Sequence, residues 1–138
     1  MFPEIDKEKT KENVHRLLSH YRSMARLADE KYTPKITATY SFEPKAPGGI
    51  SDTVGQSVSR KVTAEREIWK IGRAMNKLNA YQRQLLHDRY IDRREMTDTM
   101  IYYDLNMSER TFYRELGKAQ FEFAEAYDDG RLLAEKWQ

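Results

Sequence analysis

The chain has 138 residues, 33% of them charged and 39% hydrophobic, with 24 Lys/Arg, 22 Asp/Glu and no cysteine. That length suits one domain with a modest core, or a small domain with an appendage, and the missing cysteines exclude disulfides and thiolate metal sites. Abundant helix formers favour an all-α protein, while a formal charge of +2 neither demands nor excludes nucleic acid.

The first residues, Met1 to Asp6, lack the basic-then-apolar pattern of a secretory signal, and no apolar run approaches a membrane span. A cytoplasmic protein without a membrane partner is expected. From Asp6 to Lys31 the spacing predicts one long helix. Val14, Leu17, Leu18, Tyr21, Met24, Ala25 and Ala28 fall on a single stripe, which must be buried against another helix of the chain or against a second copy, as in a homodimer.

Between Tyr32 and Gly49 the periodicity stops. Three of the four prolines and the pair Gly48-Gly49 lie here, around an alternating run from Ile36 to Phe42 that reads as extended. Residues 1–50 are thus an N-terminal helix plus a Pro/Gly-rich extended linker, and residues 51–138 a helical domain. In that domain Ser51-Asp52 is placed to cap a second long helix, running to about Leu78 with Val54, Val58, Val62, Trp69 and Met75 near one face. Asn79 marks a break and caps the next helix, Ala80 to about Ile91, which turns Leu85, Leu86 and Tyr90 inward. Asp92-Arg93-Arg94-Glu95 is a polar turn.

A short helix follows from Thr97 to Tyr103, with Met100, Ile101 and Leu105 read as packing against its successor. A tight link through Asp104 and Asn106 leads to Ser108, a good N-cap. Beyond it, Phe112, Leu116, Ala119, Phe123 and Ala126 form an apolar face, and Arg110, Arg114, Gly117 and Phe121 point the other way. Two short helices joined so, the second exposing donors from its first turns, read as a helix-turn-helix at about 97–127 that binds double-stranded DNA. The last residues, Arg131 to Gln138, are expected to add one turn around Leu132, Leu133 and Trp137.

For DNA the requirement is geometric: donors must stand at the N-terminal turns of a helix that dips into the major groove. Arg110 and Arg114, one turn apart, can each fork onto guanine or clamp a phosphate. Ser108 and Thr111 can reach phosphates or bases, Glu109 can accept from cytosine or serve as a first-turn acid, and Tyr113 can bond to phosphate or stack on sugar. Lys118 continues the same side, and Arg83, Arg93 and Arg94 are candidates for flanking phosphates. Charge agrees with this placement. Residues 51–118 hold thirteen basic against ten acidic side chains, and residues 119–138 two against five, so the net basic charge leaves out the C-terminal end.

Catalysis finds no support. His15 and His20 are five apart, the wrong spacing for two ligands on one helical face, and His87 stands apart from both. There is no nucleophile elbow, phosphate-cradling glycine loop or metal-ligand set, so no cofactor is expected.

The runs Leu78-Asn79-Ala80-Tyr81-Gln82-Arg83-Gln84-Leu85-Leu86-His87-Asp88-Arg89-Tyr90 and Leu105-Asn106-Met107-Ser108-Glu109-Arg110-Thr111-Phe112-Tyr113-Arg114, with Lys118-Ala119, resemble region four of bacterial sigma factors. More closely, they resemble the ArpU-like family of phage-encoded transcriptional regulators from Gram-positive hosts. The resemblance is good from Leu78 to Tyr127 and looser before it. It implies a C-terminal sigma-region-four-like helix-turn-helix domain and control of late phage genes for packaging, morphogenesis or lysis, usually by activation. Met100-Ile101-Tyr102-Tyr103 departs from the small-residue pattern of sigma-type motifs, so polymerase contacts of true sigma factors do not carry over. Two other readings stay open: a helical adaptor that binds host RNA polymerase or another phage protein, and a small subunit of a DNA-packaging terminase.

Overall fold

The computed structural model describes residues 4–28 and 56–136. The extended run within 32–50, the Ser51-Asp52 cap, Val54, the side chain of Val58 and Trp137 lie outside the described residues. Among the described residues there are six α-helices and no strand: α1 (Lys7–Leu18), α2 (Tyr21–Leu27), α3 (Gln56–Asn76), α4 (Ala80–Leu86), α5 (Asp98–Asp104) and α6 (Glu109–Ala126). None of them is long and apolar enough to cross a membrane.

Asp6 caps α1, its carboxylate accepting from the Lys9 N–H at 3.0 Å. The predicted continuous helix breaks at Ser19-His20, where backbone N–H groups close onto His15 and Leu17 carbonyls. The break has a packing reason: α1 lies on α6 whereas α2 lies on α3, and one straight rod cannot follow both. The stripe survives across it. Val14, Leu18 and Tyr21 are buried, and Leu17, Met24, Ala25 and Ala28 pack against the same core. The stripe is therefore largely covered within the chain.

On α3, Ala64, Ile68, Ile71 and Met75 recur at helical spacing and are buried. Asn79 caps α4 as expected, in a capping box with Gln82. Arg83 does not face solvent. It is 5% exposed, and its Nη1 reaches back to the carbonyls of Met75 and Leu78 at 3.5 and 3.3 Å, at the close of α3 and in the link to α4. A flanking phosphate contact from Arg83 is thereby excluded. After α4 the chain widens into a π-helical turn, His87–Ile91, with Leu85, Leu86 and Tyr90 inward. The Tyr90 hydroxyl is 2.8 Å from His15 Nδ1 and accepts from Gln120 Nε2 at 2.8 Å, joining α1, the π turn and α6.

Thr97 caps α5, accepting from Met100 N–H at 3.2 Å. Ile101 is buried and Leu105 packs on the core, but Met100 is 53% exposed and is no packing residue. The link into α6 works because Asn106 adopts a positive φ of 56°, a region asparagine tolerates better than most residues. The N–H groups of Asn106 and Met107 then bond the carbonyls of Tyr103 and Tyr102, closing the end of α5.

Ser108 caps α6, its Oγ accepting from Thr111 N–H at 3.1 Å. Phe112, Leu116, Ala119 and Phe123 are buried along the predicted face. Gly117 is buried as well, against the expectation that it points outward, because α1 crosses there. Tyr127 ends α6, fully buried, and donates its hydroxyl to Glu67 of α3.

Among the described residues, 131–136, the expected C-terminal helical turn does not form; turns at Arg131-Leu132 lead into an isolated bridge instead. A 3-10 turn, Asp128–Gly130, precedes it, and Ile5 and Glu135 form an antiparallel bridge. Asp6 N–H donates to Ala134 O at 2.7 Å, Lys136 N–H to Glu4 O at 3.1 Å, and Ala134 N–H to Thr10 Oγ1 at 3.0 Å. The tail is thus a strut that fastens the start of α1.

Candidate nucleic-acid interface

The first turns of α6 stand clear of the core. Arg110 is exposed and makes no hydrogen bond or ion pair with any described residue. Arg114, one turn on, is 58% exposed with its Nε 3.4 Å from Glu115, and Lys118 is 64% exposed and 3.7 Å from the same carboxylate. Pairs as wet as these are weak and leave both cations available. Glu109 is exposed in the first turn, where the helix dipole favours an acid.

The hydroxyls are more committed than the sequence suggests. Ser108 Oγ caps the helix and donates to Thr111 Oγ1 at 2.9 Å, so of the two only Thr111 keeps a proton to offer. Tyr113 donates to Asp98 at 3.0 Å, and that carboxylate, holding the proton, is the first cause of the phenol's raised pKa, ahead of burial. Asp98 in turn lies 2.6 Å from Arg89 Nε. Tyr113 therefore ties α5 to α6 through its hydroxyl and has its half-exposed ring left for stacking.

In the polar turn, Arg94 is held by Asp92 through Nε at 3.1 Å and Nη2 at 2.8 Å. These bonds are the main cause that lowers the Asp92 carboxyl to about 2. Arg93 is exposed beside it, with no hydrogen bond or ion pair to a described residue. The Asp92 carbonyl accepts from Arg22 Nε and Nη2 at 3.1 and 2.8 Å, which fastens α2 to this turn. Although no ligand set shows in the sequence, His87, Asp88 and Asp92 come together with candidate ligand atoms within 4.8 Å. Arg94 already answers the Asp92 charge, so the trio reads as part of an ion-pair network.

Sequence reasoning missed two cations. Lys7 and Lys11 of α1 line, together with Tyr113, Arg114, Gly117, Lys118 and Phe121, a groove of about 450 Å³ between α1 and α6. Their i, i+4 spacing is visible in the sequence, but nothing there links the polar side of α1 to α6. Gly117 is what allows the approach: a Cβ there would meet Lys11 Nζ at 3.2 Å and Cε at 3.4 Å. Phe121, which by helical spacing points away from the apolar face, lies under Lys7, whose Nζ is 5.6 Å from the ring centroid. Since the obstructing atoms at Gly117 are the free end of a lysine, Gly117→Ala is expected to raise stability by up to about 1 kcal/mol through helix propensity, read as a higher melting temperature. An unchanged or lower value would mean that α1 cannot give way.

The fold and the site define an all-helical protein that carries a capped, arginine-bearing helix beside a basic groove. Residues 49–124 match the family described as "Protein of unknown function (DUF1492)". The chain is 30% identical over 138 residues, 99% of each chain, to a protein of Streptococcus phage O1205 named "Putative autolysin regulatory protein ArpU". A protein of Enterococcus hirae with the same name is 29% identical over 136 residues, 96% of each chain. The chain belongs to this ArpU-like DUF1492 family. No solved structure matches it.

Proposed function

We propose that the protein is a sequence-specific DNA-binding regulator of phage late genes, an activator at promoter DNA rather than an enzyme. In this reading α5 and α6 are a sigma-region-four-like helix-turn-helix, and α6 enters the major groove of double-stranded DNA with Arg110 and Arg114 foremost. The observation that carries it is the division of α6: one side holds Phe112, Leu116 and Phe123 in the core, while the first turns of the other offer an unpaired arginine and a weakly paired one. The regulatory name of the relatives supports the same direction, with lysis among the late functions.

Footprinting on fragments of the genome that encodes the chain tests this. One protected site beside a late promoter is expected, and it persists at moderate salt. Uniform, easily salted-off association would overturn the reading, because charge alone produces that pattern. Met100 at 53% and Tyr103 at 79% exposure on α5 favour a second reading, a helical adaptor docking on host RNA polymerase. Capture of purified polymerase without any affinity for DNA at low salt would select it.

A further inference from the structure

Four cations from two helices meet in the groove between α1 and α6: Lys7 and Lys11 of α1, and Arg114 and Lys118 of α6. The α1 pair is seated in place. Lys11 lies against Gly117 with its side chain only 31% exposed, and the Lys7 ammonium sits over Phe121. The acids nearby equal these cations in number, but the pairs they make are exposed and weak. Glu8, 85% exposed, is 3.3 Å from Lys11, Glu115 serves Arg114 and Lys118, and Glu122 and Glu125 line the groove further along α6.

We infer that this groove is the track of a phosphodiester backbone, with Lys7 and Lys11 of α1 as its sequence-independent contacts. The inference rests on the reading of α6 as the DNA-facing helix. Its geometric basis is where α1 covers α6. The polar side of residues 108–114 is exposed, but from Gly117 onward α1 lies across the helix, so α6 enters a groove in duplex DNA only by its first turns. The phosphates that wall a groove then fall toward Gly117, where Lys11 lies, with Lys7 one turn further along over Phe121. Lysine suits such a contact, because an ammonium is a point charge that accepts phosphate from many directions and reads no base. Side chains already packed lose less freedom on binding than free ones.

The test uses the full chain carrying Lys7→Gln and Lys11→Met, the methionine keeping a long stem on Gly117. Binding is measured by fluorescence anisotropy on the footprinted duplex and on an unrelated one across a salt series. Affinity for both is expected to fall by the same factor, on the order of 10-fold, with the slope of log K against log salt reduced by about 1.8 for two lost phosphate contacts. The ratio between the two duplexes stays that of the parent. Lys7→Gln alone, at a position away from the Gly117 contact, should remove about half of the slope change, which guards against a folding defect in the double variant. Parent-like affinity and slope would overturn the groove assignment. If Arg110→Ala still abolishes discrimination in that case, the α6 reading survives. If the parent binds no DNA, both fall. Unchanged DNA binding with weakened capture of RNA polymerase would assign the groove to an acidic protein surface instead, and overturn the proposal.

Discussion

Arg110→Ala combined with Arg114→Ala is expected to remove discrimination between the footprinted duplex and unrelated DNA while leaving the melting temperature nearly unchanged. Each guanidinium, if it forks onto a guanine, is worth about 1–3 kcal/mol of discrimination. The pair thus accounts for about 2–6 kcal/mol if the two add, as separate base contacts roughly do. Stability should hold because Arg110 has no partner among the described residues and Arg114 has only an exposed contact with Glu115. The single variants report which arginine reads a base. One that relaxes preference at a particular base pair is a reader, whereas one that weakens all sequences alike holds a phosphate. A double variant that discriminates like the parent would remove α6 from the interface.

Two residues from Arg110 the expected outcome reverses. Phe112 is wholly buried, with its ring centroid 5.6 Å from that of Tyr102 and 5.1 Å from that of Tyr113. Phe112→Ala should cost about 3–5 kcal/mol, since the site loses both the transfer of a large apolar group and the packing around the cavity left behind. Against a typical total of about 5–15 kcal/mol, that is a large share, and urea titration should show a much lower midpoint. The loss falls on the seat of α5, because Tyr102 belongs to α5 and Phe112 is its aromatic neighbour on α6. Phe112→Leu should recover most of the stability. A midpoint for Phe112→Ala within about 1 kcal/mol of the parent would mean that α6 is less firmly seated than its burial implies.

Most elements are legible in the sequence because their signals are local. Ser108 and Asn79 cap the helices expected of them, and the stripe from Val14 to Ala28 lies in or against the core. What sequence does not reveal depends on a distant partner. Arg83 is charged and so reads as a surface residue, and only its bonds to the Met75 and Leu78 carbonyls around the link from α3 to α4 show that it turns inward. By helical arithmetic Gly117 points away from the core, yet α1 covers that side. The break at Ser19-His20 answers two different neighbours, α6 and α3, neither of which shows in the stripe itself. In the candidate site, the row Arg110, Arg114 and Lys118 follows from helical repeat alone. The engagement of Tyr113 by Asp98 and the approach of Lys7 and Lys11 emerge only in the folded chain.

The strut between Glu4–Asp6 and Ala134–Lys136 has a further consequence. Ala134 and Thr10 are 124 positions apart, and closing so wide a loop is entropically unfavourable until the rest of the fold has drawn its ends together. The start of α1 is therefore secured only after residues 134–136 have been synthesised, and a nascent chain halted within α6 lacks the fastening of α1 beside that helix. Seating of Lys7 and Lys11 against α6 should wait for residues 134–136.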